Sequence, residues 1–264
     1  MIIDNKRLTW GEKELSAKGV PNPLMESLWL LRAFGDETGK FEAAVKERGG
    51  GKPLAYILGT QEFEGHVFKV NESVLIPRQE TMVLVQESLQ LLRKMPRPLR
   101  VLDLGTGSGS VAVCLASEDP TAQVYASDLS ETALSLAREN ASLNGVGGRI
   151  TFFKSDLLDS APVKFDMIVS NPPYIKTDDI PRLQKELRHE PFMALDGGTD
   201  GMLLITKLAR TALTILNPRG FLVMEVGYNM SPAVSALLTE LGYAGVRSSK
   251  DDAGMGRVVI GQVT

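Results

Sequence analysis

Asn171, Pro172, Pro173 and Tyr174, which follow the apolar run Ile168-Val169-Ser170, are the residues of this chain best suited to chemistry. Consecutive prolines supply no backbone N–H, and each holds the residue before it extended. The segment is therefore stiff and rich in carbonyl acceptors. Asn171 adds a side-chain carbonyl that also accepts. An amide or adenine nitrogen is a poor nucleophile because its lone pair is delocalised. If the Asn171 side chain and the Pro172 carbonyl each accept one N–H, the lone pair turns toward an electrophile. The same contacts stabilise the charge that develops on nitrogen. No general base is needed beforehand, because the proton can leave after transfer. Tyr174 offers a flat surface for a planar target group to stack on. Asn-Pro-Pro can also merely stop a strand, so its position relative to other candidate residues matters.

Those residues lie upstream. The run Val101-Leu-Asp-Leu-Gly-Thr-Gly-Ser-Gly-Ser110 reads as a strand opening into a glycine-rich turn. In a doubly wound sheet, ligands sit beyond the carboxyl ends of the strands. Gly105, Thr106, Gly107, Ser108 and Gly109 are therefore candidate ligand contacts, since glycines let backbone approach a bound molecule. A nicotinamide fingerprint would need its third glycine where Ser110 stands. The spacing found, Gly-x-Gly-x-Gly after an Asp, resembles motif I of class I methyltransferases, whose ligand, S-adenosylmethionine, has no pyrophosphate. Asp128 closes the next strand, Val124-Tyr-Ala-Ser-Asp, about twenty residues on, where a carboxylate can accept from two ribose hydroxyls. It could instead begin the following helix, although Ser130 is the better N-cap. A third strand leads to Asp156 and Leu157, placed to accept from an adenine amine and to pack on its ring. An Asp in a post-strand turn also needs no special reason.

The composition fits a soluble enzyme. The 264 residues carry a net charge of −3 and are 43% hydrophobic. That is ample for a core, with no basic excess of the kind that grips long nucleic acid backbones. The one cysteine, Cys114, sits in an apolar helical run, and only His66 and His189 are present. Neither disulfide nor thiol-based zinc chemistry is expected, and no metal site. No membrane span and no signal peptide is apparent, so a cytoplasmic monomer without direct nucleic acid contact is expected.

The elements that must position these residues fall into an α/β pattern. Up to about residue 60 the text is helical, with Leu24, Leu28 and Leu31 at one-face spacing and a break at Gly49-Gly50-Gly51. Residues 61–78 read as a β-hairpin linker, with strands Val67–Val70 and Val74–Pro77 around Asn71-Glu72-Ser73. A helix follows, with Met82, Val85, Leu89 and Leu92 on one face. From Arg100, strands at 100–104, 123–127, 150–154, 165–170 and 221–226 alternate with helices at 108–117, 130–144, 202–216 and 231–242. Residues 245–249 and 257–263 suggest a closing hairpin. Alternation of this kind means a mostly parallel, Rossmann-like sheet covered on both faces, here with an antiparallel C-terminal strand. The expected division is a helical docking domain at 1–60, the linker, and a catalytic domain at 79–264.

Taken together, the motifs resemble the release factor glutamine methyltransferase family. The resemblance runs through Pro53–Phe63, Leu75-Ile-Pro-Arg-Gln-Glu-Thr81, the glycine loop and Asn171-Pro-Pro-Tyr174. It continues in Glu190-Pro191, Ala194–Gly201 and Ala253–Val258. It implies an S-adenosylmethionine-dependent enzyme that methylates the glutamine of the Gly-Gly-Gln motif in class 1 peptide release factors. Asn-Pro-Pro-Tyr is shared with adenine-N6 DNA methyltransferases and with a ribosomal protein glutamine methyltransferase; the Ile-Pro-Arg-x-Glu-Thr segment is the more specific mark. A non-catalytic cofactor-binding module is the further alternative, which the intact acceptor array disfavours. Two departures stand out. Gln79 occupies a position where the family has proline, with Arg78 and Glu80 retained for either a cleft or a structural ion-pair role. The front region is also shorter, between Phe34 and Phe41, which bears on docking rather than on chemistry.

Overall fold

The computed structural model describes residues 4–35 and 37–264. Helices α1 (Asn5–Ala17), α2 (Pro23–Phe34) and α3 (Thr38–Gly49) form a front bundle, followed by the short α4 (Leu54–Leu58). Its small core is built from Leu15, Leu30, Phe41 and Val45, all essentially inaccessible to solvent. The buried face of α2 is Glu26, Ser27, Leu30 and Leu31, so the expected Leu24-Leu28-Leu31 face is rotated: Leu24 is exposed. The cause is a buried ion pair, in which Glu26 turns inward to receive Arg48 of α3. Arg48 also reaches Glu186 at 3.0 Å, tying the bundle to the chain that follows the chemistry motif. Within the stretch between Phe34 and Phe41, Asp36 lies outside the described residues, as do residues 1–3.

The hairpin lies earlier than expected. Its strands are β1 (Thr60–Phe63) and β2 (His66–Lys69). Glu64 and Gly65 form the two-residue turn, both at positive φ (48° and 75°), the backbone that matches a hairpin's twist. Val74–Pro77 is not a strand, because no strand among the described residues pairs with it. It runs as an irregular segment held by Tyr56 Oη donating to the Val74 carbonyl at 2.6 Å. That segment becomes one wall of the site.

Helix α5 (Thr81–Leu92) leads into the main sheet. Then follow β3 (Arg100–Leu104), α6 (Ser110–Glu118), β4 (Gln123–Asp128), α7 (Glu131–Leu143), β5 (Ile150–Lys154) and β6 (Phe165–Ser170). After a loop with two 3-10 turns come α8 (Phe192–Leu195), α9 (Leu203–Ile215), β7 (Leu216–Glu225), α10 (Ser231–Glu240), β8 (Ala244–Lys250) and β9 (Gly256–Gln262). Among the described residues the order is β5-β4-β3-β6-β7-β9-β8. Strands β3 to β7 pair in parallel, and β9 pairs antiparallel with both neighbours. The period of two is explicit in the packing. Val101, Val124, Ala126, Met167 and Val169 face α5 and α6, whereas Leu102, Leu104, Ile168, Leu222 and Met224 face α9 and α10. Helix α6 begins two residues later than expected, because Gly109 at φ 84° cannot continue a right-handed helix.

Candidate active site

The chain reverses direction of winding between β3 and β6, so their carboxyl ends open a crevice, the usual ligand position in such sheets. A cavity of about 270 Å³ lies there. Gly105, Thr106, Gly107, Ser108, Asp128, Asp156, Leu157, Asn171, Pro172 and Pro173 all contribute to its lining. Gly109 and Tyr174 do not.

The glycine loop is held from behind. Gly105 and Thr106 both donate to the Ser127 carbonyl at 2.9 Å. Asp103, fully buried, accepts from the Thr106 hydroxyl at 2.6 Å and from the Ala112 N–H at 3.0 Å. Burial pushes its carboxyl up to about 7, with the Thr106 and Ala112 donors opposing the rise. The buried Asn140 of α7 donates to the Ser108 carbonyl at 2.8 Å and exchanges hydrogen bonds with Lys69 of β2. The hairpin is thereby fastened to the loop. A Cβ on Gly109 would come within 3.1 Å of the Ala137 Cβ, so its glycine serves helix packing rather than ligand contact.

Asp128 receives the Gly107 N–H at 2.9 Å on Oδ2 and the Ser130 N–H at 2.9 Å on Oδ1. Each oxygen keeps a second lone pair, and the carboxylate borders the cavity. Ser130, as expected, caps α7 through its side chain. Leu157 sits at φ 46°, a backbone region that costs a bulky residue roughly 1–3 kcal/mol and clusters at ligand sites. Leu129, nearly half exposed, adds an apolar surface to the same cavity. A carboxylate with free acceptor capacity and two leucines at one end of a nucleoside-sized space fit the ribose and adenine of S-adenosylmethionine. A Cβ on Gly105 or Gly107 would meet no protein atom within 4 Å, so the loop leaves that side open.

Opposite lies the acceptor motif. Ser170 Oγ donates to the Leu104 carbonyl at 2.8 Å, locking the end of β6 to the end of β3. Asn171 Nδ2 donates to Thr81 Oγ1 at 3.2 Å. Tyr174 is turned away from the cavity. Its ring packs beside Gly227 and Met230, and its hydroxyl lies 3.5 Å from Glu225 Oε1. Burial raises its phenol above the usual range, with Glu225 adding to the shift. The Ala194–Gly201 run braces the motif: Ile175 donates to the Leu195 carbonyl at 3.0 Å and accepts from Gly197 at 2.8 Å. Gly201 sits at φ 78°, and a Cβ there would lie 2.5 Å from the Tyr174 carbonyl oxygen.

Arg78 and Glu80 resolve into separate roles. Arg78 pairs with Glu190, which also accepts the Ile76 N–H at 3.1 Å. Glu80 faces Arg257 at 3.9 Å. The Ile76-Pro77-Arg78 wall is thus clamped by a carboxylate from far along the chain. Asp103, Leu129 and Glu225 were not singled out by sequence. Asp103 stood inside the glycine motif, and Glu225 was legible only as a charge closing the apolar run Phe221–Met224.

A parallel sheet with this switch-point cavity, glycine loop and strand-end acidic residue defines a class I, S-adenosylmethionine-dependent methyltransferase. Residues 86–212 match the family model "Methyltransferase small domain". A methyltransferase structure from Pyrococcus furiosus superposes with a TM-score of 0.55 at 20% identity, covering 84% of this chain and 96% of that one; this concerns the fold alone. Release factor glutamine methyltransferase of Geobacter sulfurreducens is 39% identical over 98% of this chain and 96% of its own length. The protein of the same name from Neisseria gonorrhoeae is 44% identical over 83% of this chain and 79% of its own. The chain belongs to the release factor glutamine methyltransferase family.

Proposed function

We propose that this enzyme methylates the side-chain nitrogen of the glutamine in the Gly-Gly-Gln motif of class 1 peptide release factors. The observation that carries this reading is the acceptor edge of Asn171 and Pro172 beside the cavity, on a segment that the two prolines keep free of donors. When bound, S-adenosylmethionine supplies an electrophilic methyl group. Asn171 Oδ1 and the Pro172 carbonyl accept the two N–H groups of a primary amide and fix its plane. Their partial negative charges stabilise the positive charge that grows on nitrogen, and the surplus proton leaves to solvent afterward. Gly105 to Ser108, Asp128, Asp156 and Leu157 hold the cofactor. Pro173 completes the substrate-facing segment, and Tyr174 stiffens it from behind.

The helical front (residues 1–60) is the docking element in this reading, the hairpin its link, and residues 79–264 the catalytic body. Leu24, Met25 and Trp29 of α2 are each more than 40% exposed, an apolar strip suited to a protein partner. Phe192 and Met193, 54% and 60% exposed, form a second apolar edge, of which Met193 lines the cavity. A cytoplasmic monomer acting on protein rather than nucleic acid suits the net charge of −3. Among the described residues, no helix is long and apolar enough to cross a membrane.

Methyl transfer from labelled cofactor tests the reading, with a purified release factor and duplex DNA offered in parallel. Label is expected on the release factor and should vanish when its Gly-Gly-Gln glutamine is replaced. Label on DNA alone would overturn the substrate. The cofactor assignment is tested separately: Asp128→Ala should weaken S-adenosylmethionine affinity by about 1.5–3 kcal/mol, the worth of a hydrogen bond to a charged group. Unchanged affinity in calorimetry would remove Asp128 from the site.

A further inference from the structure

The reading above requires that Asn171 present oxygen, not nitrogen, to the substrate amide. A primary amide side chain has nearly the same shape either way round, yet only Oδ1 can accept an N–H. Something must therefore fix which way it faces. Backbone does not do so, because Asn171 Nδ2 finds its partner in the hydroxyl of Thr81, ninety residues earlier. Thr81 opens α5 and is 4% exposed, so water does not compete freely for its hydroxyl.

A threonine hydroxyl carries one proton. With Oγ1 accepting from Asn171, that proton needs an acceptor of its own, and a buried polar group without one is costly. Glu225, the last residue of β7, is 1% exposed. Its Oε1 lies 3.5 Å from the Tyr174 hydroxyl, and among the described residues no hydrogen bond of standard geometry reaches its buried Oε2. Four groups act on this carboxyl: Thr81 from α5, Arg257 from β9, Tyr174 beyond β6, and Glu80 just before α5. The Thr81 hydroxyl, like Arg257 and Tyr174, favours its ionised form. An ionised carboxylate can only accept, so it sets the direction of every bond behind it.

We infer that Thr81 and Glu225 are positioning residues, which hold the Asn171 amide with its nitrogen turned inward and its carbonyl turned toward the substrate. The first bond of this relay is the one from Asn171 Nδ2 to Thr81 Oγ1, and the inference extends it from the Thr81 hydroxyl to the buried, unpartnered Oε2 of Glu225. Three elements distant in sequence converge to set one side chain. The relay rests on the acceptor role of Asn171, and it adds the reason why that role has a fixed polarity. Thr81 borders the cavity and Glu225 does not, and the device acts on the substrate amide only through Asn171. Their loss should appear in kcat, not in cofactor affinity.

Replacing the carboxylate by an amide removes the constraint, because a glutamine at 225 can meet Thr81 Oγ1 with either Oε1 or Nε2 and no longer dictates which way the Asn171 amide faces. Protonation of Glu225 has the same effect. Burial pushes that carboxyl up to about 7, with Thr81 and Arg257 opposing. The productive polarity is therefore present above that pH and lost as pH falls through it.

The test measures kcat, KM for a purified class 1 release factor, and calorimetric cofactor affinity. The full-length parent, Thr81→Val, Thr81→Ser, Glu225→Gln and Asn171→Ala are compared. Thr81→Val and Glu225→Gln should lower kcat by about tenfold or more through lost orientation, with cofactor affinity unchanged. Thr81→Ser, which keeps the hydroxyl, should restore kcat to within about threefold of the parent. The parent's kcat should decline on acidification through neutrality, and the Glu225→Gln profile should lack that limb. If Thr81→Val does not fold, the nearly isosteric Glu225→Gln carries the same test. A folded Thr81→Val or Glu225→Gln with parental kcat, beside an inactive Asn171→Ala, would overturn the relay while leaving the acceptor role standing. Parental turnover in Asn171→Ala would overturn both.

Discussion

Asn171→Ala is expected to lower turnover by roughly 10²–10³-fold, the loss seen when one oriented transition-state contact is deleted. The argument is geometric. The end of β6 is pinned to β3 by the Ser170–Leu104 hydrogen bond, and Pro172 and Pro173 keep the following segment extended. Truncating Asn171 therefore removes one acceptor without releasing the backbone that carries the other. Methyl transfer should slow because the amide plane is held at one point instead of two, and the charge growing on nitrogen faces one dipole fewer. Cofactor affinity should change little, since Asp128 ends β4 and Leu157 and the glycine loop follow β5 and β3. Single-turnover rates and calorimetry on the same preparation separate the two effects. A variant that turns over at the parental rate would sink the orientation mechanism.

Much of this site could be read from local sequence because its backbone devices are local. A glycine turn at a strand end, a carboxylate closing the next strand and a proline pair each announce themselves within a few residues. The alternation of strands and helices was equally legible, since burial on both faces forces continuous apolar strands such as Val101-Leu102 and Met167-Ile168-Val169. Reading failed where tertiary context chose between similar local texts. Val74-Leu75-Ile76 has strand composition but finds no partner strand, whereas the true hairpin turns on Glu64-Gly65. The face of α2 rotates because Glu26 is drawn inward by Arg48. Tyr174, placed by its chemistry against a substrate, instead braces the motif beside Glu225. Glu225 itself meets Tyr174 beyond β6 and feels Thr81 of α5 and Arg257 of β9, and no spacing rule reveals such a meeting.

Arg78→Met should destabilise the protein strongly and in a pH-dependent way. Arg78 is partly exposed, but its partner Glu190 has a side chain only 1% exposed, and removing the guanidinium strands that carboxylate. Losing one member of a buried pair costs roughly 3–5 kcal/mol. The lower end applies here, because Arg78 is itself reached by water and the Ile76 N–H still donates to Glu190. At about 3 kcal/mol, the melting temperature of a chain of this size should fall by roughly 6–12 °C near pH 8. Burial already holds the Glu190 carboxyl above its ordinary value despite Arg78. Without Arg78 it rises further. A carboxyl whose folded value exceeds its unfolded one contributes stability that is complete below the unfolded value and lost as pH climbs through the folded one. The deficit of Arg78→Met relative to the parent should therefore be smallest near pH 4 to 5 and widen toward neutrality. Cofactor affinity should also drop, because Ile76, Pro77 and Arg78 form one wall of the cavity, which Glu190 clamps from across the chain. Denaturant titrations at several pH values read the effect directly. A deficit independent of pH would mean that Glu190 is not the stranded group.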